Sequence, residues 1–148
     1  MKYKILSLVI LCILAASCRI NQFKNNLRHG RWVYQDSTSE ELLTSRGRYR
    51  KGNEIGTWKH YTNGIIFRKE SFRGNKAQVI NYYPNKQVAS TGNTGLDRTD
   101  KMIHWYYDGK WEFYKEDGSL DSVKVYDKGK LISARSATEN SPGNKQEH

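Results

Sequence analysis

The chain has 148 residues, of which 36% are hydrophobic and 12% aromatic, and it carries a net charge of +10. That length supports one modest domain, and the shortage of aliphatic side chains excludes a large conventional core, so aromatics must carry the burial. Only two prolines argue against a disordered Pro-rich chain, while ten Tyr and four Trp suit a thin sheet wet on at least one side.

Taken from the N-terminus, Lys2 and Lys4 precede an apolar run over residues 5–16, and the small residues Ala15, Ala16 and Ser17 stand directly before Cys18. This resembles a bacterial lipoprotein signal peptide. The resemblance implies cleavage before Cys18, acylation of Cys18 (palmitate) as the first mature residue, and a membrane anchor on the cell envelope, with the outer membrane as the expected address. The position three before Cys18 is Ala15 where Leu is commoner, and Leu14 lies one step further back. An uncleaved membrane span is the alternative, but the apolar run is shorter than the ~20 residues a bilayer needs. Cleavage would also remove Cys12, leaving no cysteine pair for a disulfide. Residues 18–29 then read as the lipidated cysteine and a tether, because residues 19–26 are mostly polar and show no sustained period.

Residues 30–134 form the expected domain, and they read as repeated β-hairpins. The first unit opens Gly30-Arg31-Trp32-Val33-Tyr34, has an expanded turn at Asp36-Ser37-Thr38-Ser39, and closes at Lys51-Gly52-Asn53. The second, residues 56–76, holds Trp58 and Tyr61 and turns at Asn63-Gly64, a strong hairpin signal because both residues tolerate positive φ. The third, residues 77–92, lacks a Trp; laying Tyr83 on Tyr61 puts Ile80 where Trp58 falls. Residues 92–100 (GNTGLDRTD) read as an irregular loop. A strand over residues 102–107 leads into the fourth unit, with Gly109, Trp111, Tyr114, an Asp117-Gly118 turn and a closing Lys128-Gly129-Lys130. The chain from Ile132 turns polar, and residues 135–148 are expected to be a disordered tail.

The Gly-x-Trp-x-x-Tyr-x-Asn-Gly pattern at 56–64, its Tyr82-Tyr83-Pro84-Asn85 variant and the closing Gly-Lys steps resemble the MORN repeat in its bacterial form. The resemblance covers roughly residues 30–131 and implies an all-β, elongated, single-layer antiparallel meander of stacked hairpins. It also implies a binding or scaffold role rather than catalysis. Some bacterial members carry an antitoxin label, which sits poorly with an export signal.

Within that frame Trp32, Trp58 and Trp111, with Tyr61, Tyr83 and Tyr114, are the expected repeat core; a ligand-stacking ladder for glycans is the other use of the tryptophans. Gly30, Gly56, Gly64, Gly109 and Gly118 are the expected turn or bulge residues rather than a phosphate cradle. No catalytic, metal or cofactor residue is expected. His29, His60, His104 and His148 lack ligand spacing, Ser45, Ser71 and Ser90 have no base partner visible in sequence, and Glu40-Glu41 and Glu116-Asp117 fall at turns. Asp97 and Asp100 are a poor match to a calcium loop.

Charge is more informative. Residues 19–76 carry 13 basic and 5 acidic side chains, against 8 of each over residues 77–134. Arg46, Arg48 and Arg50 alternate, so a regular strand projects them from one face, with Arg68 and Lys69 expected nearby. Such a stripe suits phosphate or carboxylate groups on an anionic envelope polymer or an acidic partner protein; its plain alternative is a solvated face that discourages edge pairing. An envelope address argues against nucleic acid. The leading expectation is a non-enzymatic envelope lipoprotein that binds or scaffolds. Behind it stand a periplasmic immunity protein neutralising a toxin, and a glycan-binding or glycan-processing protein.

Overall fold

The computed structural model describes residues 19–99 and 102–137. Ten strands follow one another: β1 (Gln22–Lys24), β2 (Leu27–Ser37), β3 (Leu42–Arg50), β4 (Asn53–Thr62), β5 (Ile65–Arg73), β6 (Lys76–Tyr82), β7 (Val88–Arg98), β8 (Ile103–Tyr114), β9 (Leu120–Asp127) and β10 (Lys130–Ser136). Each is hydrogen-bonded to the next, so sheet order equals chain order and the fold is an all-β, single-layer antiparallel meander of hairpins. Tight turns enforce this. Asn63 and Gly64, at φ 50° and 80°, join β4 to β5, and the same left-handed pair recurs at Lys51-Gly52 and Lys128-Gly129. Paired positive φ matches the twist of the flanking strands, which selects two-residue hairpins.

The tryptophans are placed by register slips. Between Arg46↔Lys59 and Arg48↔Ile55 the chain advances two residues on β3 and four on β4; between Thr91↔Glu112 and Asn93↔Asp108 it does the same on β7 and β8. Gly56 (φ 62°) and Gly109 (φ 69°) begin these bulges, where a side chain would be strained. Each bulge lays an indole flat over a glycine of the preceding strand. A Cβ on Gly47 would fall inside the Trp58 ring, and one on Gly92 inside the Trp111 ring. The indole N–H groups are fixed as donors to Arg48 O at 3.2 Å and Asn93 O at 2.9 Å. Trp111 is 0% exposed and Trp58 2%, each buried between the glycine beneath it and neighbouring aromatic rings, Tyr107 stacked at 4.1 Å on Trp111 and Tyr49 edge-on at 5.0 Å to Trp58.

Four sequence expectations change. Residues 19–26 are not a bare tether, since β1 pairs with β2 and the Trp32 indole donates to Gln22 O. Residues 92–98 are not an irregular loop but part of β7, their glycines being relief positions: Gly92 under Trp111 and Gly95 under Tyr106. Residues 135 and 136 are not tail but the end of the exposed edge strand β10; residues 138–148 lie outside the described residues. The missing third Trp is replaced by Val79 rather than Ile80, because Val79 is 0% exposed and stands in register with Glu70, which in turn faces Trp58.

Directly opposed residues share a face, so Trp32, Gly47, Glu70, Val79, Gly92 and Tyr49 lie on the side that holds Trp58 and Trp111. The sheet curls toward that side. Phe72 on β5 and Trp105 on β8 have ring centroids 5.7 Å apart, although a flat sheet sets strands three apart at about 14 Å. Arg28 of β2 and Ile103 of β8 even line one cavity. The tryptophan side is therefore concave, and Trp32, Tyr49, Trp58, Phe72 and Ala77 form its packed cluster. Edge-to-face contacts at 5.0 Å (Tyr49 and Trp58) and 5.5 Å (Trp32 and Tyr49) link successive rungs; such pairs contribute about 0.5–1.5 kcal/mol beyond their area.

Candidate functional site

The opposite, convex side carries the basic residues. In β3 the side chains of Arg46, Arg48 and Arg50 alternate with Gly47 and Tyr49, whose side holds the tryptophans, so all three arginines point outward and are exposed. Register adds what local spacing could not show. Arg48 stands opposite Arg31, and Arg46 stands opposite Lys59, which stands opposite Lys69. Adjacent strands lie about 4.8 Å apart, so Arg46, Lys59 and Lys69 form a row of cations across three strands. Among the described residues none of these six has an ion-pair partner; Arg46 leans 5.3 Å from the Tyr61 ring centroid as its one tie. In the later strands the charges are paired, Lys76 to Asp108 at 3.1 Å and Lys110 to Glu112 at 2.8 Å.

Arg68 does not join the stripe. Adjacent residues of a strand face opposite ways, and Arg68 points to the concave side, where its guanidinium meets Glu70 Oε1 at 2.7 Å. Glu70 Oε2 accepts from His60 Nε2 at 2.9 Å, and His60 Nδ1 lies 2.8 Å from Ser45 Oγ. Ser45 therefore does have a base partner, brought to it by the pairing Ser45↔His60 across fifteen residues of sequence. The chain Ser45, His60, Glu70, Arg68 ties β3, β4 and β5 together on the concave side. With Glu70 accepting at Nε2, the neutral imidazole uses Nδ1 as acceptor for the serine hydroxyl.

Burial pushes the Glu70 carboxyl up, but the hydrogen bonds from His60 and Arg68, with their charges, more than offset it and leave Glu70 below the usual carboxylate range. Its neighbour Glu54 goes the other way. Burial first and the Glu70 charge second raise it, and the Tyr49 hydroxyl donating at 3.3 Å only partly compensates. The Tyr49 phenol is itself raised, by burial and then by its hydrogen bond with Tyr34. The result is two carboxylates of unlike character in one hollow. A cavity of about 320 Å³ is lined by Glu54, Arg68, Glu70, Phe72, Thr94 and Trp105.

The expected core residues divide. Trp32, Trp58 and Trp111 are buried; Tyr61, Tyr83 and Tyr114 are only half-buried. Tyr61 lies under Arg46, and Tyr83 donates to Tyr114 O at 2.8 Å, clamping two hairpin ends. Gly64 (φ 80°) and Gly118 (φ 84°) sit at hairpin turns, whereas Gly30 (φ 75°), like Gly56 and Gly109, lies within a strand. Asp97 accepts from the Tyr106 hydroxyl at 3.1 Å; Asp100 lies outside the described residues. So do Cys18 and the expected signal over residues 1–17. Among the described residues there is no group of three or more His, Cys, Asp or Glu placed to hold a metal ion.

No known family model matches the chain, and no characterised protein matches it either. Among solved structures it is similar to a chain of the "Crystal structure of GtfA/B complex", with 12% identity and a TM-score of 0.26, over 84% of this chain and 21% of that one. The chain spans about a fifth of that protein's length, and so low a score relates neither fold nor function.

Proposed function

We propose that this chain is a non-enzymatic binding module of the bacterial cell envelope, built on MORN-type hairpin repeats, anchored through lipid on Cys18, and holding an anionic surface against its convex basic face. One observation carries the reading: Arg31, Arg46, Arg48, Arg50, Lys59 and Lys69 lie on one side of β2–β5 without a carboxylate among the described residues to neutralise them. Like charges placed directly opposite in a sheet are destabilising. A fold that keeps three of them in one cross-strand row gains from a partner that supplies the missing anions. Arginines favour forked contacts with phosphate or carboxylate, and a convex face suits an extended anionic surface better than a small ligand. The concave Ser45 and His60 act in this reading as a cross-strand lock.

The test uses the chain from residue 18 with Cys18→Ser, so that any membrane binding reports the face and not the anchor. Phosphatidylglycerol vesicles and polyglutamate should both bind, with affinity falling as salt rises, whereas phosphatidylcholine vesicles should not. Replacing Arg46, Arg48 and Lys59 together by Ser should weaken binding about tenfold or more, roughly 1.4 kcal/mol. Equal binding by neutral vesicles, or no change in the triple variant, removes the proposal. Retention of an acidic protein from the envelope, with no vesicle or polyglutamate binding, would favour a specific partner such as a toxin.

A further inference from the structure

We infer that the concave side holds a second, independent site: a cleft for a neutral saccharide, with the Trp105 indole as one wall and Glu54, Glu70, Arg68 and Thr94 as the other.

Trp105, unlike Trp58 and Trp111, covers no glycine. It stands opposite Leu96 near the open end of β8, its ring meets Phe72 edge-on at 5.7 Å, and it remains 40% exposed beside a cavity of about 320 Å³. That volume falls at the lower end of small-ligand sites, about 300–1,000 Å³. A second hollow of about 300 Å³, lined by Arg28, Tyr49, Glu54, Leu96, Arg98 and Trp105 among others, shares Glu54 and Trp105 with the first. Together they place the indole and the Glu54 carboxyl at one continuous mouth, created by the curl that brings β8 over β4 and β5.

The polar wall is held in place by the groups behind it. Glu70 is fixed from two sides by Arg68 and His60, Glu54 by Tyr49, and the Thr94 hydroxyl by Ala77 O at 3.4 Å. Side chains anchored in this way present their remaining lone pairs and N–H groups in set directions, as a ligand rich in hydroxyls requires. A pyranose offers an apolar C–H face to an indole and a rim of hydroxyls to planar carboxylate and guanidinium groups, which is the division found across this cleft. An organic cation is the competing occupant, because aromatic rings with carboxylates also attract ammonium groups. The charge pattern opposes it: Glu70 is already matched by Arg68, and Arg28 and Arg98 line the adjoining mouth. An anion would meet the two carboxylates. A neutral ligand has neither problem.

The cleft is built where the repeat lapses. Glu70 and Val79 occupy the row in which neighbouring rungs carry glycine and Trp. An indole on β6 would cover the space that Glu70 and Arg68 now share. The site lies on the opposite side of a one-layer sheet from the basic face, so either can fail without the other.

The experiment titrates the Cys18→Ser chain with maltotriose, cellotriose and N,N′,N″-triacetylchitotriose, following the indole N–H resonances and the heat of binding. At least one trisaccharide should bind saturably, shifting the Trp105 indole signal and leaving those of Trp32, Trp58 and Trp111 in place. Trp105→Ala should weaken it about tenfold or more. Glu54→Gln, which preserves shape, should weaken it by a factor of about three. Arg46→Ser with Lys59→Ser should leave it unchanged. Absence of binding by all three sugars up to ~10 mM, binding indifferent to both cleft variants, or tighter binding of tetramethylammonium than of any sugar would overturn the assignment.

Discussion

The rung on β3–β4 and the rung on β5–β6 occupy equivalent places in the meander, yet they solve burial differently. The first lays Trp58 over Gly47 by a two-residue bulge; the second keeps regular register and sets Val79 against Glu70. The rung on β7–β8 repeats the first solution with Trp111 over Gly92. A ring on a glycine fills a one-layer sheet without help from a second layer. Where both halves of that device are absent, the concave side carries a polar chain and a cleft instead. Among the described residues every buried side-chain nitrogen and oxygen still has a hydrogen-bond partner, so the middle rung is a finished polar arrangement and not a packing defect.

The sharpest way to break this contrast is to remove the ring. Trp58→Ala should destabilise the domain by about 3–5 kcal/mol, because the vacated space has no opposite layer to collapse into it. Val79→Ala, at the matching place, removes far less volume and should cost about 1–2.5 kcal/mol. Urea melts of the two variants check the difference; equal losses would mean that the tryptophan is not the organising side chain of its rung.

A second variant tests the device itself. Gly47→Ala puts a methyl group into the Trp58 ring, whose N–H is pinned to Arg48 O, and overpacking of that kind costs about 1–3 kcal/mol. In a Trp58→Val background the clash disappears, so the same substitution should become nearly neutral, a coupling readable by a double-mutant cycle. If the Gly47→Ala cost persists without the indole, backbone freedom and not ring clearance explains the glycine.

Much of this fold was legible because its punctuation is local. Asn63-Gly64, Asp117-Gly118 and Lys128-Gly129 name their hairpins directly, and Gly56-Thr57-Trp58 against Gly109-Lys110-Trp111 reveals the repeat. Gly92 and Gly95 misled because a glycine that relieves a ring looks, in sequence, like one that breaks a strand; only the cross-strand partner tells them apart. Arg68 could have been excluded from the stripe by parity alone, since it adjoins Lys69. Lys59, Arg31 and the pairing of Ser45 with His60 depend on register between strands, which bulges shift by two residues and no local spacing records. The curl that sets Trp105 over Phe72 is a property of the whole sheet, and with it the cleft was out of reach.

The middle rung also predicts a pH signature. Glu70 lies below its ordinary range in the fold, so its contribution is present above that range and is lost as pH falls through it. Glu54 lies above its ordinary range, so it favours the fold at low pH and that advantage is lost as pH rises through its folded value. The two oppose each other in wild type. Glu54→Gln should steepen the acid loss of stability and raise stability at neutral pH. Glu70→Gln should cost about 1–3 kcal/mol at neutral pH by weakening the contacts to His60 and Arg68, and its deficit relative to wild type should shrink toward about pH 4. Thermal melts across that interval decide the matter; parallel pH profiles for all three chains would show that the two carboxyls do not titrate with folding.

The smallest expected effect lies on the convex face, and its smallness is the informative part. Lys59 stands between Arg46 and Lys69 in one cross-strand row, so Lys59→Ser removes two like-charge contacts and a flexible, exposed side chain that packs nothing. Relief of repulsion stabilises by a few tenths of a kcal/mol at most in water. Loss of strand propensity is not at issue, since Lys is itself a poor strand former. The net change should be within about 0.5 kcal/mol, on the stabilising side at low salt and vanishing as salt screens the row. Arg46→Ser should come out closer to zero or slightly destabilising, because it also gives up the contact with Tyr61, and exposed cation–π contacts contribute about 0.5–1 kcal/mol. A salt-dependent gain from Lys59→Ser, set beside the large loss from Trp58→Ala one residue away, would divide the sheet cleanly: one side supplies stability, and the other carries an electrostatic load that added salt relieves.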